Sequence, residues 1–560
     1  MNLLGKMTDT EFWNTVRTDD YYATYIKEIK DSWDELCEDA PIAPLNYRDY
    51  RLFEVTGDRD TYQRPYFKRR GALNAAAILS LIYPEEEKYF VKLQDTIFDI
   101  CSEYTWCLHA HLGHTDGKSA SEIVDLFAAE TGFSLAEIYI VHEKRLDDFI
   151  KRIIRENIER RIIKPTFERP DGWWWEHMNN NWLSVCAGSV GCTTMLLYPE
   201  AFRQLKPRFD RAMERYIDSF LGEGMCLEGC SYWDYGFGFF TIYADMLKTF
   251  TEGKENYFVR EDVKAIAAFP QKMFLTKNAV ISFSDMGGTY LISKGIIHYL
   301  KSVYPDAVKL PNKEYCTNGV RRWRTSYILR AASWANKEYS ALDEIGSTNE
   351  YFYAKKSQWY INKTDNYAFA SKAGTNKEPH NHNDIGHFIY AKDGRQIFVD
   401  LGAGLYDKKY FSDERYEIFE PSSYSHSVPI IGGEAQKFGE EYFATEVEAT
   451  EKSFSLEMSG TYGNDKIKSI FRRFDILENG IKLTDKFEYS ENEKITERFV
   501  TLAEPKIISQ GVIEVDGARL CYGVAVEDVE FKKVITPVHE CFTIDLMLKT
   551  GTAEFSCEIS

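Results

Sequence analysis

From His380 to His426 the chain reads H-N-H-N-D-I-G-H-F-I-Y, then G-R-Q-I-F-V-D-L-G-A-G-L-Y, and closes on S-S-Y-S-H-S. Four of the eleven histidines lie in this stretch, together with Asp384 and Asp400. Imidazole nitrogens and carboxylate oxygens are the donors that zinc and similar divalent metals select. Two metal constellations follow from the residue types. His382, Asp384 and His426 have the form of a two-histidine, one-carboxylate triad, which would hold non-haem iron in an oxygenase. His382, Asp400 and His426 would instead converge from neighbouring strands as a three-ligand zinc site. The bland alternative is a set of strand-end histidines bonded to carbonyls.

Two further stretches could do chemistry. One is W-W-W-E-H-M-N-N-N-W, from Trp173 to Trp182. Three consecutive tryptophans cannot share one buried helix face, so at least one reaches a loop or cleft, where it would stack on a sugar ring. The asparagines are poor helix formers and good caps. The other is E-G-C-S-Y-W-D-Y-G-F-G, from Glu228 to Gly238. Buried phenols need hydrogen-bond partners, and a phenol with suitable neighbours can move protons. Glu176, Glu228 and Asp234 are the acids that a glycoside hydrolase would need in a facing pair. A carbohydrate-binding protein without catalysis is a further reading of the aromatic cluster.

The elements that must position these residues change texture along the chain. Phe90, Leu93, Ile97 and Ile100 recur at helical spacing, as do Leu146, Ile150, Ile153 and Ile154 within a helical segment from Ser134 to Ile163. Prolines punctuate this half at helix ends. Helical hairpins so numerous either stack as a bundle or close into an (α/α) toroid. After about residue 346 short runs of Val, Ile, Phe and Tyr alternate with polar residues. Asp393-Gly394, Asn479-Gly480 and Asp516-Gly517 sit between them as hairpin turns would. The expectation is a helical domain over 1–345 and an antiparallel β-sandwich over 346–560, with the boundary between Ala335 and Tyr351.

Bulk properties narrow the partners. A chain of 560 residues exceeds one ordinary core. Its net charge of −19 argues against nucleic acid, which requires a basic face. An acidic substrate would need local cations, and Lys68-Arg69-Arg70 and Arg321-Arg322-Trp323-Arg324 are candidates. No run approaches the roughly 18 apolar residues of a membrane span. The N-terminus lacks the pattern of a secretory signal, and the cysteines form no C-x-x-C pair, so reduced thiols in a cytoplasm are expected. Nothing fixes the oligomeric state; a homo-oligomer is compatible.

The H-x-H-N-D-x-G-x-F opening, the later D-x-G-x-x-x-Y and the closing S-x-x-H resemble the heparinase II/III family of polysaccharide lyases. The N-N-W stretch and the E-G-x-S-Y-W-x-Y stretch match the helical half of that family, in the right order, so that the likeness runs from about Tyr66 to His426. The resemblance implies an (α/α) toroid, an antiparallel β-sandwich and β-elimination on a uronic-acid-containing glycan such as a glycosaminoglycan or alginate. It places His382, Asp400 and His426 at a structural zinc and His380 facing substrate. Asn181 would neutralise the substrate carboxylate, and Tyr235 or Tyr232 would serve as acid and base. Asn180, Trp174, Arg415 and Arg70 are the expected substrate contacts, with Arg69, Arg70 or Arg415 keeping the phenol's proton affinity low. Asp384 falls to a supporting, strand-end hydrogen bond. At Trp182 some relatives carry a histidine thought to act as a second base, which leaves the tyrosine as sole proton carrier or moves the base role to His380.

Overall fold

The computed structural model describes residues 2–37, 42–114, 119–277, 279–320, 323–345 and 349–560. Arg321, Arg322 and the expected sandwich start at 346 lie outside the described residues. The chain divides into two compact units. The first holds Met1–Gly222, Tyr232–Ala267 and Ile292–Leu342; the second holds Glu223–Ser231, Ala268–Leu291 and Asp343–Ser560. A single boundary near 345 therefore omits two short segments of the helical half that belong with the strands. Their hydrogen bonds explain why. Gln396 Nε2 donates to the Val280 carbonyl at 2.6 Å, Ser282 Oγ to the Asp400 carbonyl at 2.9 Å, and Ser284 Oγ to the Leu227 carbonyl at 2.9 Å.

The first unit is an (α/α) toroid. Helices Leu126–Val141 and Trp182–Leu197 bury nearly every residue, and a helix apolar on all sides must be enclosed. Their partners are amphipathic. Asp148–Ile158 buries Ile150, Ile154 and Ile158, one residue per turn, and Pro199–Asp218 buries a stripe from Phe202 to Ile217. Enclosed and amphipathic helices alternate along the chain, which gives an inner and an outer ring. The Ser134–Ile163 segment is broken between Val141 and Asp148, so the enclosed helix ends before its amphipathic partner begins.

The second unit is a β-sandwich. A five-stranded antiparallel sheet runs in the spatial order Arg395–Phe398, Phe388–Lys392, Ala368–Lys372, Trp359–Lys363, Glu350–Ala354. Tyr360, Phe369 and Phe388 from this sheet share one core with Phe454, Phe474 and Leu483 of an eight-stranded sheet, and with Phe499 and Ile544 of a four-stranded one. Asp393-Gly394 and Asp516-Gly517 are two-residue turns with positive φ at both positions. At the third expected turn the loop is Glu478-Asn479, because Gly480 already pairs with Leu477. A side chain at 480 would collide with the Ile559 carbonyl of the last strand.

One buried cation ties this core to the histidine loops. Arg472 pairs with Asp485 and Glu497, and its Nη1 donates to the carbonyls of Gly386 and Ser427, each at 2.9 Å. Those carbonyls adjoin His387 and His426.

Candidate active site

In the helical unit, Tyr235 lies near the start of helix Cys230–Phe250. Its hydroxyl donates to Glu130 Oε1, and Arg324 Nε donates to the other carboxylate oxygen at 3.0 Å. The Arg324 guanidinium also lies 3.8 Å from the centre of the Tyr235 ring. Burial and the Glu130 charge push the phenol well above its ordinary pKa, with Arg324 opposing. Burial likewise raises Glu130 against the pull of Arg324 and the Tyr235 hydroxyl.

Glycine sets the distance to the next group. A Cβ at Gly236 would stand 3.0 Å from the Asn181 Cβ and closer still to the Tyr216 hydroxyl. Ser184 Oγ donates to the Gly236 carbonyl at 2.8 Å. The start of helix Trp182–Leu197 is thereby packed onto the turn that follows Tyr235, with Asn181 buried at its head. The Tyr327 hydroxyl donates to the carbonyls of Asp234 and Tyr235, at 2.6 and 3.0 Å, and holds that turn from another helix.

In the strand unit the hub is a residue that the sequence reading did not single out. Asp285 is buried and accepts from four side chains: His380 Nδ1 at 2.6 Å, His382 Nε2 at 3.0 Å, Arg415 Nη2 at 2.8 Å and the Tyr410 hydroxyl. Burial works against its ionisation, but the bonds from His380 and His382 hold the carboxyl well below the ordinary range. His380 has φ of +57°, a left-handed conformation rare for a residue with a Cβ. Its Nε2 stands 3.5 Å from Glu228 Oε2. Burial opposes its protonation, yet the Asp285 bond raises its proton affinity. A signal for Asp285 exists in retrospect. Gly402, of the D-x-G motif, has φ of +71°, and a Cβ there would meet the Met286 carbonyl at 1.7 Å. The motif's glycine therefore makes room for the segment that carries Asp285.

The remaining histidines assign their own protons through their partners. His382 gives its Nε2 proton to Asp285, which leaves a lone pair on Nδ1. His426 gives its Nδ1 proton to the Ser422 carbonyl at 2.8 Å, which leaves a lone pair on Nε2. These two lone pairs face each other at 3.3 Å, and Asp400 Oδ2 lies 3.6 Å from His426 Nε2. Two nitrogens each about 2.0 Å from one tetrahedral ion stand roughly 3.3 Å apart. Asp400 Oδ2 has no hydrogen-bond partner, whereas Oδ1 accepts from Gly402 N at 2.8 Å. One ligand atom from each of His382, Asp400 and His426 lies within 4.8 Å of the others, so the donor set fits a divalent metal. His387 is different. The Ser427 amide donates to its Nδ1 at 2.8 Å, so its proton sits on Nε2, 3.6 Å from Asp400 Oδ2.

Several expected residues have other employment. Asp384 is bonded to Lys372 Nζ at 2.8 Å, deep in the core, so the iron triad of His382, Asp384 and His426 does not assemble; Asp400 supplies the nearby carboxylate. Arg70 is buried and bidentate to Glu103 at 2.7 Å, with Arg69 on the same carboxylate, so Arg70 is a structural cation and not a substrate contact. Arg415 belongs to Asp285. The cation beside Tyr235 is Arg324, from the second basic cluster. Asn180 Oδ1 accepts from Trp182 N at 3.1 Å, as a cap would. Trp173 and Trp175 are buried, while Trp174 is half-buried with its ring 5.9 Å from that of Trp182. Glu176 pairs with Arg208, and Asp234 accepts from Ser293 Oγ at 2.8 Å. Tyr232 lies one turn before Tyr235 on the same helix and is half-buried.

No family model matches the chain, and no curated protein matches it by sequence. Solved structures do match its fold. Heparinase III has a TM-score of 0.62 at 12% identity, covering 95% of this chain and 91% of that one. Heparan sulfate lyase from Pedobacter heparinus gives 0.53 at 13% identity, over 96% and 87%. Chondroitin AC lyase from Streptomyces coelicolor A3, in complex with chondroitin sulphate, gives 0.54 at 7% identity, over 98% and 82%. The chain thus has the toroid-plus-sandwich fold of the heparinase II/III-like lyases. Among the described residues, no helix is long and apolar enough to cross a membrane.

Proposed function

We propose that this chain is a polysaccharide lyase that cleaves a uronic-acid-containing poly- or oligosaccharide by β-elimination and leaves an unsaturated uronide. The observation that carries the reading is Tyr235. Its phenol is held against Glu130 and Arg324, with Asn181 packed onto the next residue, on a fold shared with three glycan lyases.

The proton on the carbon beside a uronate carboxylate is too weakly acidic to leave unaided. The site must stabilise the charge that grows on that carboxylate as the proton departs. The Asn181 amide is the donor for it in the helical unit. Tyr235 moves a proton at the scissile bond. His380, aimed by Asp285, offers an N–H to an anionic sugar group. His382, Asp400 and His426 would hold a structural zinc ion, which when bound would rigidify the loop that carries His380.

The test is incubation with a panel of uronic acid oligosaccharides, followed by ultraviolet absorbance of the product. Absorbance from the new double bond is the expected result. New reducing ends without absorbance would mean hydrolysis and would overturn the reading, as would binding without turnover on every uronide.

A further inference from the structure

Elimination needs two proton transfers, one from carbon and one to the leaving oxygen. Tyr235 is arranged for the second. Its hydroxyl starts the cycle protonated, donating to the Glu130 carboxylate, so it is a proton donor and not a phenoxide base. The first transfer requires a group that starts with a lone pair able to take the proton.

His111 is such a group. It lies on the short turn His109–His114, and its Nδ1 is 2.7 Å from Asp125 Oδ2. Asp125 is fully buried and caps helix Leu126–Val141; its oxygens also accept from Ala128 N at 2.7 Å and Leu108 N at 3.2 Å. Both Asp125 oxygens act as acceptors here, so His111 Nδ1 is the donor of its pair and Nε2 carries the lone pair. The side chain is 12% exposed. Its ring stacks on Phe127, 5.9 Å away at 13°, and meets Trp182 edge-on at 4.9 Å. Phe127 and Glu130 are three residues apart on one helix and share a face. Trp182 directly follows Asn181. His111, Asn181 and the Glu130 partner of Tyr235 therefore gather at the heads of two adjoining helices. Among the described residues, Arg59, whose Nη2 is 3.5 Å from Nε2, Asp125 and the imidazole of His109 are the ionisable groups that face this ring. The cap on this helix does not need a histidine, because Asp125 already receives both amides.

We propose that His111, oriented by Asp125, is the base of the elimination, and that Tyr235 is its acid. This rests on the lyase reading. His111 Nε2 takes the proton from the carbon beside the carboxylate. The electron pair of that C–H bond is first held as an enolate on the carboxylate beside it, and becomes the new carbon–carbon double bond when the C–O bond to the leaving sugar breaks. The leaving oxygen takes the Tyr235 proton. Imidazolium and phenoxide then return to their starting forms by proton exchange with water.

The experiment compares wild type, His111→Gln, His111→Ala and Tyr235→Phe on a uronide that wild type converts to absorbing product. His111→Gln is expected to lower kcat by about 100-fold or more and leave KM within a few-fold. Imidazole added to His111→Ala should restore turnover. Exchange of the carbon-bound proton with deuterated solvent, read by NMR, should persist in Tyr235→Phe and vanish in His111→Gln. Near-normal kcat in His111→Gln, with Tyr235→Phe inactive, would overturn the base assignment and leave elimination standing. Loss of the melting transition in His111→Gln would mark the histidine as structural and overturn it too. No absorbing product from wild type on any uronide would overturn both readings together.

Discussion

Two buried carboxylates organise the two units, and their surroundings differ in kind. Glu130 accepts from Tyr235 and Arg324; Asp285 accepts from His380, His382, Tyr410 and Arg415. Burial raises Glu130, whereas the donors around Asp285 overcome burial and hold it well below the ordinary range. The number of donors decides which way a buried carboxylate goes. Asp285 is a fixed anion that aims other groups. Glu130, with two donors, holds the Tyr235 hydroxyl as its proton acceptor.

That contrast can be broken by substitution. The largest effect is expected for Tyr235→Phe, which should cost about 10²–10⁴ in kcat on any uronide that wild type cleaves, with melting unchanged. Near-normal turnover would remove Tyr235 from the chemistry. On the fixed side, Arg472→Ala leaves Asp485 and Glu497 buried without their cation and frees the carbonyls beside His387 and His426. A loss of about 3–5 kcal/mol in denaturant unfolding is expected; a loss under 1 kcal/mol would show that the triad does not anchor these loops. His382→Ala should lose bound zinc, measured by elemental analysis, and lower Tm with it. A variant that loses neither sinks the structural-zinc proposal. Glu130→Gln sharpens the comparison, since it removes the anion that helps keep the phenol protonated. The alkaline limb of the pH profile should move to lower pH, and no movement would separate Glu130 from the titration of Tyr235.

Glu378 is the intermediate case. Burial pushes it up to about 7, against the attraction of Lys372. The folded state therefore holds this proton more tightly than the unfolded chain does. The associated stability is complete below about pH 4.5 and is lost as the pH rises to about 7. Relative to Glu378→Gln, wild type should lose up to about 3 kcal/mol across that window in denaturant melts. Parallel curves for the two proteins would refute the shift.

Much of this was legible in residue order. The period of the apolar positions separates helical from strand regions, because each element must bury one face or all of them. His382, Asp400 and His426 could be named from their residue types as one of two metal constellations, and the family resemblance pointed to them over the set with Asp384. Arg70 was misread because a basic run looks the same whether its charges face solvent or a buried acid; Glu103, 33 residues away, decides it. Arg324 could be named only as part of a candidate basic cluster and not beside Tyr235, since its partner Glu130 lies 194 residues away.

Sequence alone therefore determined the order of the two architectures and the residue types able to do chemistry, since both are local properties of pattern and side chain. The tertiary structure decided the partners. It chose Asp400 over Asp384 beside the histidines, brought Asp285 from a segment 95 residues before His380, and placed Glu130 under Tyr235. Those choices turn on long-range hydrogen bonds and on close approaches such as Met286 at Gly402, which leave no spacing in the chain to read.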